Sequence, residues 1–548
     1  MKKHNSNYTF SRVPSVVRPR SVFDRSRTYK TAFDSGYLIP FYIDEILPGD
    51  TIANLNVTAF SRLSTPIVPF MDNLWMDFQF FFVPNRLVWE NWQRFCGEQD
   101  NPEDSTDYLL PQIIIDSNVG VGSIYDYLGV PVGKKGFKIN ALPLRAINLI
   151  WNHFYRDENL QDSVSVFTDD GPDSMSAYTL LKRGKRKSNQ FASALPWPQK
   201  GPGVELQIGG SAPVYGDGNV LALHNGTSKS YLVGNGTTSG YHSWSGTNPI
   251  ATSSTATSPG SVNGLLGVAP KSALSGAQTS GLYADLSSAS AVTINALREA
   301  FQVQKWYEQL ARGGSRYQEL LLSMFGTDAG DARLQRPEYL GGGTIPIQVH
   351  AVAQTSATQY DVSSELTTPQ GNLAAYGVAG GSGIGFSKSF VEHGFVIGFV
   401  SVRGDQTFQQ GLDRFWSRRT KFDFYWPAFA HLGEVGILNK EIYLQGENSE
   451  DDDKIFGYQE RWYEYRYGTS LITGKLRSGV TGSLDVWHLA QHFENLPVLN
   501  DEFVVENVPV SRVLAVQDEP QFIFDSVIKC RHARVMPTYS VPGLVDHF

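Results

Sequence analysis

Residues 74–83 read LWMDFQFFFV, and the alternation in this stretch decides the fold. Leu74, Met76, Phe78, Phe80 and Phe82 recur at every second position, while Asp77 and Gln79 point the other way. Successive side chains on a strand face opposite sides, so these five large apolar groups form one face that must lie against a core. Thr51–Phe60 repeats the pattern, with Ala53, Leu55, Val57 and Ala59 on one face and Asn54, Asn56 and Thr58 on the other. Further strands are expected at Ile345–Gln354, Gly394–Arg403, Gln459–Tyr467 and Gln521–Cys530. Gly394–Arg403 is apolar on both faces, as expected of a strand covered on two sides.

Helical spacing is rarer. Leu144, Ile147, Ile150, Trp151 and Phe154 follow it, with Pro143 suited to a first turn. Pro84-Asn85 followed by Leu87, Val88, Trp92 and Phe95 suggests a short helix. Thr293 can cap another that carries Ile294, Leu297, Phe301 and Leu310, and Tyr317–Met324 forms one closed by Gly326. No repeat of 20–50 residues is present. The framework is therefore β, with helices in its long connections.

Composition agrees. The 548 residues are 41% hydrophobic and 18% charged, against about 25% charged in an average globular protein. That excludes a highly charged disordered chain. Aromatics at 12%, with 52 glycines and 28 prolines, favour strands joined by turns. Two cysteines, Cys96 and Cys530, exclude a disulfide framework. MKKHNSNYTF is not followed by the apolar segment of a secretory signal, and there is no run of about 18 apolar residues, so no membrane insertion is expected.

Charge is unevenly spread. Residues 1–30 hold Lys2, Lys3, Arg12, Arg18, Arg20, Arg25, Arg27 and Lys30 against Asp24 alone, a net +7 on a body of −15. A basic arm on an acidic body suits a protein that holds nucleic acid on one side, and a solvated tail is the alternative. Domain limits follow: an N-terminal arm over 1–36, a β body over 37–199 and 291–548, and a distinct segment over 200–290. That segment has six charged residues and 16 of the glycines, with Tyr215, Tyr231, Tyr241, Trp244 and Tyr283 spaced through it. Recurrent aromatics and hairpin-like Asn225-Gly226 and Asn235-Gly236 favour an exposed folded insertion over a linker.

Catalytic and metal signatures are weak. His488 and His492 are one helical turn apart, but Leu489 stands where a zinc peptidase needs glutamate. Gly468–Lys475 has the wrong glycine spacing for a phosphate loop, and Leu476 replaces the magnesium-binding hydroxyl. Gly380–Gly385 lacks the dinucleotide pattern, and Glu450–Asp453 lacks calcium-loop spacing. No cofactor, metal site or enzymatic function is expected, although distant strands can bring paired carboxylates together. Two further basic sets stand out: Lys182, Arg183, Lys185, Arg186 and Lys187, and Lys529, Arg531, His532 and Arg534. Each fits phosphate contact or an ordinary surface.

Several long motifs carry a resemblance. They are SVFDRSRTYKTAFDSGYLIPFYIDEILPGD (Ser21–Asp50), STPIVPFMDN (Ser64–Asn73), FFFVPNRLVWENWQRFCGE (Phe80–Glu98), INALREAFQVQKWYEQLARGGSRY (Ile294–Tyr317), DARLQRPEYLGGG (Asp331–Gly343), RFWSRRTKFDFYWPAFAHLGE (Arg414–Glu434) and RVMPTYSVPGLVDHF (Arg534–Phe548). Together they resemble the major capsid proteins of gokushovirus-type microviruses, small icosahedral single-stranded-DNA phages. The likeness covers nearly the whole chain except 200–290.

The resemblance implies an all-β, eight-stranded antiparallel jelly roll with long loops carrying a few short helices. It further implies a T=1 shell of about 60 copies around circular single-stranded DNA. The virion would be assembled in the bacterial host cytoplasm with a scaffold protein and a small basic DNA-packaging protein. By position, 200–290 corresponds to a threefold spike that meets a host-cell receptor, with Tyr231, Tyr241 and Trp244 as candidate contacts. Two other functions compete: a β-rich carbohydrate-binding or glycan-cleaving protein, since exposed Tyr and Trp also stack on sugars, and a structural protein of another shell or spike.

Overall fold

The computed structural model describes residues 19–185, 188–204 and 294–539, except 315, 329, 357, 360–365, 369 and 447–448. Within 205–293 it describes only the backbone of short strands. The chain divides into two compact units, one of residues 1–200 and 308–548, the other of residues 201–307.

The larger unit is built on nine strands: β1 (Ser21–Asp24), β2 (Arg27–Phe33), β3 (Ile39–Ile46), β4 (Thr51–Leu63), β5 (Leu74–Pro84), β6 (Glu338–Ala353), β7 (Leu373–Ser389), β8 (Gly394–Gly404) and β9 (Phe522–Arg534). All pair antiparallel, in the order β1/β2-β9-β4-β7-β6-β5-β8-β3. Because β1 and β2 follow one another along β9, the strands fill eight positions. β6 is shared. Its first part, Glu338–Ile347, pairs with β5, and its second, Gln348–Ala353, with β7. The long antiparallel surface thus curls into two facing layers in the jelly-roll order, as the resemblance to the capsid proteins implies.

The main core lies between the layers. Leu74, Met76, Phe78, Phe80 and Phe82 meet Leu55, Val57 and Ala59 of β4 and Phe522, Phe524 and Ile528 of β9. Phe80 packs on Phe386 at 5.4 Å between ring centroids, and Phe41 edges onto Phe78 at 5.6 Å. One expected inward residue differs. Asn54 has φ 56°, a bulge that turns Ala53 outward and leaves Ile52 inside.

Helix α1 (Leu142–Phe154) covers the other face of the β5 layer. Its apolar stripe meets Phe81 and Val83 of β5 and Phe395, Ile397 and Phe399 of β8 in a second core. That is why β8 is apolar on both faces. Asp77 also lies on this covered face, where Arg183 (2.7 Å), Arg403 (2.8 Å) and Thr344 (2.7 Å) hold it. A third cluster, around Phe191, Phe408, Ile437, Phe456 and Phe503, is built largely from the β8–β9 connection.

Other elements depart from expectation. Gln459–Tyr467 is not one strand: a short strand ends at Glu460, because Trp462 adopts φ 70° and a 3-10 turn follows. His488 is extended, so His488 and His492 do not share a helical face. β7 contains the glycine-rich Gly380–Gly385 and was not among the expected strands. Its glycines admit close packing: a Cβ on Gly385 would lie 1.7 Å from the Leu55 carbonyl oxygen. The Leu144–Phe154 and Tyr317–Met324 helices form as expected, the second (α2, Tyr317–Phe325) ending on left-handed Gly326.

In the smaller unit, Leu221–His224 pairs with Ser230–Val233 and Gly267–Val268, and Val214–Gly216 pairs with Leu282–Ala284. No helix among the described residues is long and apolar enough to cross a membrane.

Candidate assembly and nucleic-acid surfaces

The basic N-terminus is only partly an arm. Lys2, Lys3, Arg12 and Arg18 lie outside the described residues. Arg20 is exposed and donates to the Gly49 carbonyl (2.9 Å) and to Thr51 Oγ1 (3.0 Å). Arg25 and Arg27 flank the break between β1 and β2. Arg25 pairs with buried Asp44 at 2.7 Å, while Arg27 donates to the Ile43 carbonyl and lies 4.4 Å from the Tyr42 ring centroid. Their charges are engaged within the chain. Lys30 stays exposed, paired with Asp525 of β9.

Strand alternation places Lys30 on the outward face of the β2-β9-β4 layer. Arg62, Lys529 and Arg531 are exposed on the same layer, among exposed Phe60, Ile523 and Val527. Register sets them in rows: Ala32, Ile523 and Arg62 align, as do Lys30, Asp525 and Phe60. Cations beside apolar groups on an open sheet can neutralise phosphates and contact base faces without reading sequence.

The Lys182–Lys187 set behaves differently. Arg183 is bound to Asp77 and to Ser401 Oγ (3.0 Å), and Lys182 lies 5.0 Å from the Tyr37 ring centroid. Lys185 sits 4.0 Å from the centre of the Phe503 ring, and burial lowers its ammonium pKa to about 8. These three cations serve the fold. Arg186 and Lys187 lie outside the described residues, as do Tyr241, Trp244 and the side chain of Tyr231.

A second surface comes from Arg414–Phe429, where seven aromatics crowd into one connection. Phe415, Trp416, Phe422, Phe424, Tyr425 and Trp426 are all exposed, Trp416 at 68%. The backbone holds them in place: Asp413 caps Phe415, and Thr420 and Asp423 close a capping box. The Arg418 guanidinium lies 4.6 Å from the Tyr465 ring centroid and 5.3 Å from that of Phe424. Exposed Trp, Tyr and Arg on a fixed scaffold is the composition of protein–protein contact centres. The density of aromatics around Pro427 was the sequence signal, but alternation could not show which rings reach solvent.

Carboxylates do gather in one described cavity. Glu441 accepts from the Tyr463 hydroxyl and pairs with Arg414 at 3.5 Å, and Glu464 pairs with Arg418 at 3.5 Å. Burial raises the Glu441 pKa. The space they line is about 40 Å³, enough for water, whereas ligand sites run to several hundred Å³.

A jelly roll with long connections is an architecture of viral coat proteins, shared with lectins and cupins, and a cationic sheet face with a belt of exposed rings suits the first of these. The profile of the capsid protein (F protein) family matches residues 11–544. Capsid protein VP1 of Bdellovibrio phage phiMH2K is 48% identical, over 100% of this chain and 99% of that protein. The VP1 proteins of Chlamydia phage 1 (43%; 98% of this chain, 97% of that one) and Spiroplasma virus 4 (34%; 99% of each) are also similar. The chain belongs to this capsid protein family, in the gokushovirus-type microvirus group, and is a structural component of the virion.

Proposed function

We propose that this chain is the repeating unit of a T=1 icosahedral shell around circular single-stranded DNA. The full-length relation to capsid proteins carries the reading. The exposed ring belt at Phe415–Trp426 supplies a neighbour-binding surface, and individually modest contacts are multiplied by closure. The outward face bearing Lys30, Arg62, Lys529 and Arg531, with the basic N-terminus, faces the genome and holds it by salt-sensitive contacts. A scaffold protein and a small basic packaging protein act as assembly partners. Residues 200–290, with Tyr231, Tyr241 and Trp244, form the threefold spike and the host-receptor surface.

Electron microscopy of the chain expressed with its scaffold protein tests the assembly. Closed particles of icosahedral symmetry are expected; a monodisperse monomer under all conditions overturns the reading. Genome contact is tested on particles by DNA release against salt. For single strands the logarithmic slope is about 0.7 per neutralised phosphate, so replacing Arg62, Lys529 and Arg531 with Gln should flatten it by about 2. An unchanged slope removes the sheet face from the proposal.

A further inference from the structure

We propose that Tyr42, Asp44, Cys530 and His532 form a binding site for a zinc-type divalent cation that ties the two layers of the sandwich together. Tyr42 and Asp44 stand two apart on β3, in one layer, and Cys530 and His532 two apart on β9, in the other. Residues two apart share a strand face, and here both pairs point inward. All four are buried, His532 completely.

The spacing suits a tetrahedral ion. Asp44, Cys530 and His532 each offer a ligand atom within 4.8 Å of the others. Asp44 Oδ2 is 3.6 Å from His532 Nδ1 and 3.2 Å from the Tyr42 hydroxyl, which is 3.7 Å from Cys530 Sγ. Ligand bonds of about 2.0–2.3 Å at tetrahedral angles put donor atoms about 3.3–3.8 Å apart. Thiolate with imidazole selects zinc over magnesium or calcium.

His532 supplies the second observation. Its Nδ1 has no hydrogen-bond partner among the described residues, although it is buried. Its Nε2 lies 3.0 Å from Asp50 Oδ2 and 3.4 Å from Arg534 Nε. With the proton on Nε2, the Nδ1 lone pair faces an anionic oxygen; with the proton on Nδ1, 3.6 Å is too long for a hydrogen bond. A cation between Nδ1 and Asp44 resolves both. Asp50 then takes the place of the carboxylate that orients a metal-bound histidine from its far nitrogen.

Arg25 sits on Asp44 Oδ1 and Arg534 on Asp50 (3.2 Å), so Asp44 Oδ2 is the oxygen turned to the site, and the thiolate supplies the anionic charge the ion needs. Burial pushes the Cys530 thiol pKa up, and Arg25 and Arg27 offset only part of that, so the sulfur–metal bond itself has to displace the proton. Binding releases the Cys530 thiol proton to solvent as the sulfur–metal bond forms. A proton on Nδ1 is the competing occupant. The site stands independently of the coat reading.

Cobalt titration of the chelator-stripped full-length chain tests it. One equivalent per chain with a thiolate-to-cobalt absorption band is expected, displaced by zinc. Cys96→Ala, which removes the exposed thiol, should keep the band, and Cys530→Ala should abolish it with at least a ~100-fold loss of zinc affinity. Asp50→Asn should weaken zinc about 10–100-fold. A Cys96→Ala chain that shows no band overturns the site and leaves a proton there, and this outcome does not depend on whether Cys530→Ala folds. Equal zinc affinity in Cys530→Ala overturns it as well.

Discussion

At the scale of single residues, Asp77 shows how far apart the chemical partners lie. In the sequence it is only the polar residue facing away from the stripe. Its partners, Arg183 and Arg403, come from distant connections and strands, so nothing local announces them. Burial pushes its carboxyl pKa up, but Arg183, Thr344 and Arg403 outweigh that and hold it below the ordinary range. Asp77→Ala takes the shared carboxylate from two buried guanidiniums, leaving Arg183 on Ser401 and Arg403 on the more distant Asp405, and a loss of about 3–5 kcal/mol is expected from denaturant unfolding of the subunit. His153 of α1 gives a pH signature. Burial, reinforced by Arg336, Arg316 and Arg156, lowers its pKa to about 4 from an ordinary 6.5. Between those values the unfolded chain binds the proton and the folded one resists it, so stability falls as pH drops from 6.5 towards 4. His153→Gln should remove that part of the slope in melts taken across this range. The quartet around His532 was equally hidden, because Tyr42 and Cys530 are 488 positions apart.

At the scale of elements, legibility followed periodicity. β5 is readable because five large side chains recur at period two with one face against the core. Phe80→Ala, at a position with no exposure, should cost about 3–5 kcal/mol in the same unfolding measurement. β7 was missed for the opposite reason: its glycines carry no side chains to alternate, and they are there because β4 and β6 press close. Gly385→Ala would push a methyl onto the Leu55 carbonyl and part the strands, costing at least about 1–3 kcal/mol by denaturant titration. Arg25 and Arg27 were read as free charge because the basic run masks the strands on either side of them. α1 was legible since its stripe is continuous over three turns, with proline where the first turn tolerates it.

At the scale of the whole molecule, the sandwich is a frame with two long connections, and the exposed rings of Phe415–Trp426 lie in the second of these. Replacing Trp416 with Ala should leave subunit melting within about 0.5 kcal/mol of the unsubstituted chain, as for exposed sites, while particle yield falls sharply. Particle counts by microscopy beside calorimetry of the free subunit check both halves. The seam between first and last strands has a further consequence for synthesis. Lys30 meets Asp525 across 495 positions, and β9 separates β2 from β4. At a translation rate of about 5–20 residues per second, the early strands wait roughly 25–100 s for the one that joins them. A nascent or prematurely terminated polypeptide therefore lacks the keystone of its own barrel. Only when the ribosome has delivered that late strand can the sheet close between its first and fourth strands.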